Sequence, residues 1–264
     1  MEVFKFRISG SGAIFTNPCV NSISTSYPHI HKIALLGLLG AVIGIEKNNE
    51  NKFICYDTLK DLKIAIVPSK ISFDRAIVNK TDTSGCSNYD SLKDITGSTI
   101  KNFNKANIKE IKSGKNFGTT YISNYTELIS PSWDIYIQDN SSDVYNKIKQ
   151  SIINKESYYI PYLGKNWRMA SFDEIEVLLG HTPDIIDSIT GIFPKKDFNF
   201  DIEDDFDNFE EINTEYIEFF APIGLNKTLG VYDEEELAIT NKNVEYLGDR
   251  EKIMNVKGNN LYFF

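Results

Sequence analysis

The first 45 residues constrain the fold more than any other part of the chain. Phe4, Phe6 and Ile8 alternate with Lys5 and Arg7, which predicts a strand over Val3 to Ile8 with one buried and one solvated face. Ser9-Gly10-Ser11-Gly12 follows, and a turn-rich stretch runs on to Ser26-Tyr27-Pro28-His29-Ile30-His31. Lys32 to Ile45 then reads as an apolar helix with Gly37, Gly40 and Gly44 along one face. Each glycine costs roughly 1 kcal/mol of helix propensity relative to alanine. Three on one stripe therefore imply close backbone packing, against a sheet or a partner. A strand that ends in a small-residue loop and feeds such a helix predicts a backbone surface made for close contact with a ligand.

The chain of 264 residues is long enough for one large domain or two small ones, and its 41% hydrophobic content supports an ordinary core. Ile33 to Ile45 is too short for a membrane span, which needs roughly 20 apolar residues, and no signal peptide precedes the first strand. Neither a membrane nor a secretory destination is expected. Cys19, Cys55 and Cys86 are odd in number and widely spaced, which argues against a disulfide framework or a structural zinc and for the cytoplasm. No metal or cofactor site is expected.

The net charge of −9 argues at first against a nucleic-acid partner, but its distribution does not. Residues 1–150 hold 18 Lys and Arg against 14 Asp and Glu, and residues 151–264 hold 10 against 23. The acidity thus belongs to the C-terminal part, above all Asp197 to Glu218. Local patches, not net charge, decide what a groove attracts.

Further along, Leu62 to Val67 reads as a strand ended by Pro68. From Ser69 to about Leu128 the chain makes a long excursion, read as a basic, protruding hairpin. Within 101–115, Lys101, Lys105, Lys109, Lys112 and Lys115 are opposed only by Glu110. Trp133 to Ile137 is a strand, and a helix capped by Ser142 or Asp143 runs to about Lys155. Tyr158 to Lys165 contains Pro161 and reads as an edge strand or a structured loop. Ser171-Phe172-Asp173-Glu174 is a capping box and predicts a short helix ending near Gly180. Asp184 to Phe193, Glu215 to Phe220 and Asn259 to Phe264 read as strand-rich, interrupted by an acidic loop over 197–211. That loop lacks the spacing of a calcium site and reads as solvated. The order of elements matches the start of a ferredoxin-like α+β unit with an insertion at its central hairpin.

One family carries this combination. Gly10 to Pro18, Ser26-Tyr27-Pro28, Ile33 to Gly44 and Tyr162-Leu163-Gly164-Lys165 together resemble the Cas-five family of CRISPR-associated proteins, within the RAMP superfamily. The length and the lysine-rich excursion look most like its type I-B branch. The resemblance implies a modified RNA-recognition-motif domain over 1–165, with a long β-hairpin thumb at about 69–128, and a smaller strand-rich part over 166–264. It implies a non-catalytic scaffold of a Cascade complex, binding the crRNA 5′ handle in antiviral defence. It implies contacts with the backbone subunit (Cas-seven) and the large subunit (Cas-eight), with target DNA met through the complex.

Candidate RNA contacts follow from the residues. Ser9, Gly10, Ser11 and Gly12 can bring backbone N–H groups close to phosphates or base edges, or form an ordinary strand-ending turn. Lys32 stands at a helix start, where the dipole favours an anion, or is simply solvated. The five lysines at 101–115 offer an electrostatic rail, with Phe117 and Tyr121 placed to stack on a base or to pack the hairpin. Lys165, Trp167 and Arg168 form a basic-aromatic cluster suited to a nucleotide, unless Trp167 is a core anchor. Tyr27, His29 and His31 stand near Lys32, so metal-independent RNA cleavage through a 2′-OH is an alternative function. The resembling type I-C branch uses Tyr, Lys and His in this way, but no histidine falls in the excursion here. A protein-interaction domain without RNA, using the acidic half, is a second alternative.

Overall fold

The alternation in Phe4, Phe6 and Ile8 is realised in strand β1, Glu2–Ser9, where all three are fully buried. The computed structural model describes residues 1–18, 25–46, 51–82, 121–199 and 216–264. After β1 come β2 (Gly12–Ala13), α1 (Lys32–Ile43), α2 (Ile54–Leu59), β3 (Ile64–Pro68), β4 (Arg75–Asp82), β5 (Tyr121–Ile129) and β6 (Ser132–Gln138). Then follow α3 (Asp143–Ile153), β7 (Ser171–His181), β8 (Phe193–Pro194), β9 (Phe198–Asn199), β10 (Tyr216–Asn226) and β11 (Val231–Thr240). The chain closes with β12 (Glu245–Tyr246), β13 (Ile253–Val256) and β14 (Asn259–Tyr262). The fold is mixed and strand-rich, with few helices.

The central sheet has the order β14-β13-β7-β1-β6-β3, antiparallel throughout. Strand β1 is hydrogen-bonded on both edges, to β6 from Val3↔Gln138 to Ser9↔Ser132 and to β7 from Glu2↔Leu179 to Ser9↔Ser171. Helices α1 and α3 cover one face. Leu35, Leu36, Leu39 and Val42 of α1 join Phe4, Phe6 and Ile8 of β1 with Tyr145, Ile148 and Ile152 of α3 in the main core. Helix α1 is held at its start by His31 and stops at Gly44 in the left-handed region (φ 77°), where a missing Cβ removes the steric cost.

The glycine stripe of α1 is used three ways. A Cβ at Gly40 would strike Cys55 of α2, and one at Gly44 would strike Tyr158. Gly37 faces open space, in a groove of about 890 Å³ lined by Phe15, Tyr158, Tyr162, Asn166 and Met169 among others.

Residues 171–181 correct the helix expected there. The capping-box signal is local, whereas β1 needs a second partner and Ile175 and Val177 suit a strand. The pairing between residues nearly 180 apart in sequence wins over local propensity. A bulge sits in that ladder: Lys5 pairs with Glu176 and Arg7 with Asp173, so Glu174 and Ile175 together oppose Phe6, and Glu174 takes a positive φ of 46°. The segment 184–192 is also not a strand, since only Phe193–Pro194 pairs, with β11. Tyr158 to Lys165 resolves as a structured loop, with a single bridge between Tyr162 and Met169.

The excursion begins and ends as a hairpin. Strands β4 and β5 pair from Arg75↔Leu128 to Asp82↔Tyr121, and β2 joins the other edge of β5 through Gly12↔Ile129 and Ala13↔Leu128. Lys101, Lys105, Lys109, Lys112, Lys115 and Phe117 lie outside the described residues, as does the acidic loop from residue 200 onward. No helix among the described residues is long and apolar enough to cross a membrane.

Candidate nucleic-acid interface at the hairpin root

Three stretches distant in sequence meet where β5 leaves the hairpin. The loop after β1 is pinned from below: Gly10 N–H donates to the Pro131 carbonyl at 3.2 Å, and Ser11 carbonyl accepts from Ser130 N–H at 3.1 Å. A Cβ at Gly10 would lie 2.6 Å from Leu163 Cδ1 and 2.9 Å from the Met169 carbonyl oxygen. Only glycine lets the 162–169 loop sit this close. That loop is itself fastened, with Leu163 N–H donating to the Arg168 carbonyl at 2.7 Å and Ile14 N–H donating to the Leu163 carbonyl at 3.1 Å.

The juxtaposition brings Lys165, Trp167 and Arg168 over β5. Lys165 Nζ stands 4.9 Å from the ring centre of Tyr125, a cation–π contact. Tyr125 and Trp167 meet edge to face at 6.3 Å. Arg168 reaches Glu127 through its Nε, and its Nη2 donates to Glu127 Oε2 at 2.7 Å, while Nη1 lies 3.4 Å from Ser11 Oγ. Ser11 is exposed and Lys165 half-buried. Ser9 ends β1, paired with Ser132 and Ser171. Of the residues expected from sequence, Gly10 to Gly12 and Lys165, Trp167 and Arg168 therefore cluster at this root, with Gly12 buried and Ser11 exposed. Tyr125 and Glu127 join it unannounced. Their i, i+2 spacing puts them on one face of a strand, but nothing local says which loop that face meets.

Other expected residues go elsewhere. Lys32 Nζ donates to the carbonyls of Lys60 at 3.0 Å and Phe264 at 3.1 Å, and burial pulls its ammonium below the usual lysine range. It is spent inside the fold and does not present a free cation at the helix start. Tyr27, His29 and His31 are buried at 1%, 0% and 7% exposure. The Tyr27 hydroxyl donates to Glu234. His29 Nε2–H donates to the Ile71 carbonyl at 2.8 Å, and its Nδ1 accepts from Trp133 Nε1–H at 3.4 Å. His31 Nδ1 accepts from Ala34 N–H and caps α1. Burial pushes His29 down to about 4 and His31 to about 3, so both are neutral at physiological pH. The Tyr27 hydroxyl, both ring nitrogens of His29 and Nδ1 of His31 are thus engaged inside the fold.

The face of the central sheet away from α1 is not a basic platform either. Lys5 Nζ lies 3.3 Å from Asp134, 3.4 Å from Glu174 and 3.7 Å from Glu176, and Arg7 Nε lies 2.7 Å from Asp134. Both cations of β1 are neutralised. Among the described residues, no group of three or more His, Cys, Asp or Glu could hold a metal ion.

The family model described as "CRISPR-associated protein (Cas_Cas5)" matches residues 3–214. It spans strands β1, β3, β6 and β7 of the central sheet, the hairpin and the loop cluster, and the chain belongs to the Cas5 family of CRISPR-associated proteins. No curated protein sequence matches the chain. Among solved structures, a chain of a "CRISPR RNA-guided surveillance complex" shares the fold with a TM-score of 0.52, at 12% identity over 91% of this chain and 90% of its own. A CRISPR protein from Archaeoglobus fulgidus aligns over 99% of this chain and 98% of its own, at 10% identity and a TM-score of 0.46.

Proposed function

We propose that this protein is a non-catalytic, RNA-binding scaffold subunit of a type I CRISPR surveillance complex, and that it holds the 5′ handle of the crRNA. Membership of the Cas5 family supports the setting. The observation that carries the binding role is the convergence of Gly10 to Gly12, Tyr125, Lys165, Trp167 and Arg168 at the root of the β4–β5 hairpin. Such a surface supplies what single-stranded RNA needs: cations for phosphates and aromatic rings for unstacked bases. The lysines at 101–115, between β4 and β5 in sequence, add phosphate contacts in this reading.

In this reading the βαββαβ core β1-α1-β3-β6-α3-β7 is a ferredoxin-like, modified RNA-recognition motif and the hairpin is its thumb. The chain sits in the type I-B branch, in the cytoplasm, between the backbone subunit Cas-seven and the large subunit Cas-eight, and meets target DNA through them. A holding role is favoured over a cleaving one because His29 and His31 are buried and neutral, whereas a general acid or base must reach the proton it moves.

Ultraviolet crosslinking of the full chain to a single-stranded RNA tests the site. Crosslinked nucleotide is expected on peptides containing Tyr125 or Trp167. Crosslinks confined to residues 216–264, or recovery of cleaved RNA from the same incubation without metal, would contradict the proposal.

A further inference from the structure

The hairpin root holds a carboxylate in a surface meant for polyanion. Glu127 is 3% exposed, and burying an ionised carboxylate costs several kcal/mol unless a cation and further hydrogen bonds compensate. An apolar residue at this position would close the core at lower cost. Glu127 instead meets one edge of the Arg168 guanidinium: Nη2 donates to Oε2 at 2.7 Å, and Nε stands in ion-pair contact with Oε1. Room for that carboxylate comes from Gly12: a Cβ there would fall far inside contact distance of Glu127 Oε1.

A guanidinium is planar and rigid, with five N–H donors in a fixed fork. Gripping one edge therefore fixes where the remaining donors point. In Arg168 the opposite corner is Nη1, which donates to the exposed Ser11 hydroxyl at 3.4 Å and carries a second N–H besides. A donor pair of this kind, one charged and one neutral, matches the non-bridging oxygens of a phosphodiester. Lys165 and the Tyr125–Trp167 ring pair lie alongside, where an adjoining base would stack.

We propose that Glu127 is a positioning residue. It clamps Arg168 by one edge so that the opposite corner, Nη1 beside Ser11 Oγ, receives a phosphodiester oxygen of bound RNA. This rests on the RNA-binding reading above. Its signature is a sign. Simple Coulomb repulsion requires that removing a carboxylate from an RNA-binding surface tighten binding. The clamp requires the reverse, since Glu127→Gln frees the guanidinium to rotate away.

Fluorescence anisotropy of the full chain with a labelled single-stranded RNA of about eight nucleotides tests it. Glu127→Gln is expected to weaken binding about tenfold, and to lower the steepness of the salt dependence by about 0.7, one phosphate contact. Arg168→Lys keeps the charge but loses the fork, and is expected to weaken binding similarly. Equal or tighter binding by Glu127→Gln overturns the clamp. Should Glu127→Gln fail to fold, equal binding by Arg168→Lys overturns it. Wild-type protein that does not bind the RNA at all removes the RNA reading itself, whereas wild-type binding with unchanged variants removes only the clamp.

Discussion

Lowering the pH from about 7.5 to about 5 is expected to cost the fold about 4 kcal/mol, half from His29 and half from His31. Both rings are buried and neutral, held at about 4 and about 3, while in the unfolded chain a histidine titrates near 6.5. The unfolded state therefore binds protons more readily than the folded state across this window. Stability from these groups is full above about pH 6.5 and is lost as the pH falls toward the folded values. At about pH 5 the unfolded chain gains about 2 kcal/mol per ring, from 1.36 kcal/mol for each unit below 6.5. Geometry gives the same answer. Protonating Nδ1 of His29 would turn a proton against Trp133 Nε1–H, and protonating Nδ1 of His31 would turn one against Ala34 N–H. Glu2, Asp57 and Glu176 are held below their ordinary values by lysine partners, so their titration falls below this window and adds little to the difference. Urea denaturation at the two pH values measures the difference. His31→Asn keeps a capping acceptor and is expected to remove about half of it. Equal stability at both pH values would contradict the buried, neutral placement.

Gly164→Ala is expected to destabilise the fold by about 3 kcal/mol or more, at the upper end of single substitutions. Gly164 adopts φ 81°, a conformation strained for any L side chain. Its missing Cβ points into the backbone carbonyl of Ile14. Ile14 cannot retreat without breaking its own hydrogen bond to the Leu163 carbonyl, 3.1 Å long. The loop that carries Lys165, Trp167 and Arg168 would lift away, so RNA affinity is expected to fall with stability. Gly37→Ala is the matched control. It is helical, meets nothing within 4 Å, and is expected to raise stability by about 0.5–1 kcal/mol through helix propensity. Thermal melts of the two variants distinguish the cases, and a mild effect at Gly164 would show that the loop is not locked as described.

Much of the core was legible because its signals are local. The period-two pattern of β1, the apolar run of α1 and the capped helix α3 each follow from short-range rules, and Ser142 does cap α3. What was not legible depends on distant partners. Residues 171–181 carry a good capping box, yet β1 recruits them as a strand. Lys32 looks like a free cation until its ammonium meets carbonyls 28 and 232 positions away. His29 and His31 read as acid–base candidates because sequence does not reveal the closing of Phe73, Trp133, Phe219 and Tyr232 around them. The basic-aromatic character of Lys165, Trp167 and Arg168 is visible in sequence. Their pairing with Tyr125 and Glu127 is set by where the hairpin root lands.

Salt dependence tests most directly the proposal that this chain holds RNA through the hairpin root and the five lysines at 101–115. Affinity of the full chain for single-stranded RNA is measured from about 50 to 200 mM salt. The five lysines at 101–115 are expected to contribute a slope of about −3.5 in log affinity against log salt, roughly −0.7 for each phosphate contact. Replacing Lys101, Lys105, Lys109, Lys112 and Lys115 by glutamine is expected to remove that contribution and to leave the weaker binding of the root. Negligible binding by the wild-type chain at low salt, or identical slopes for the two proteins, would contradict the account.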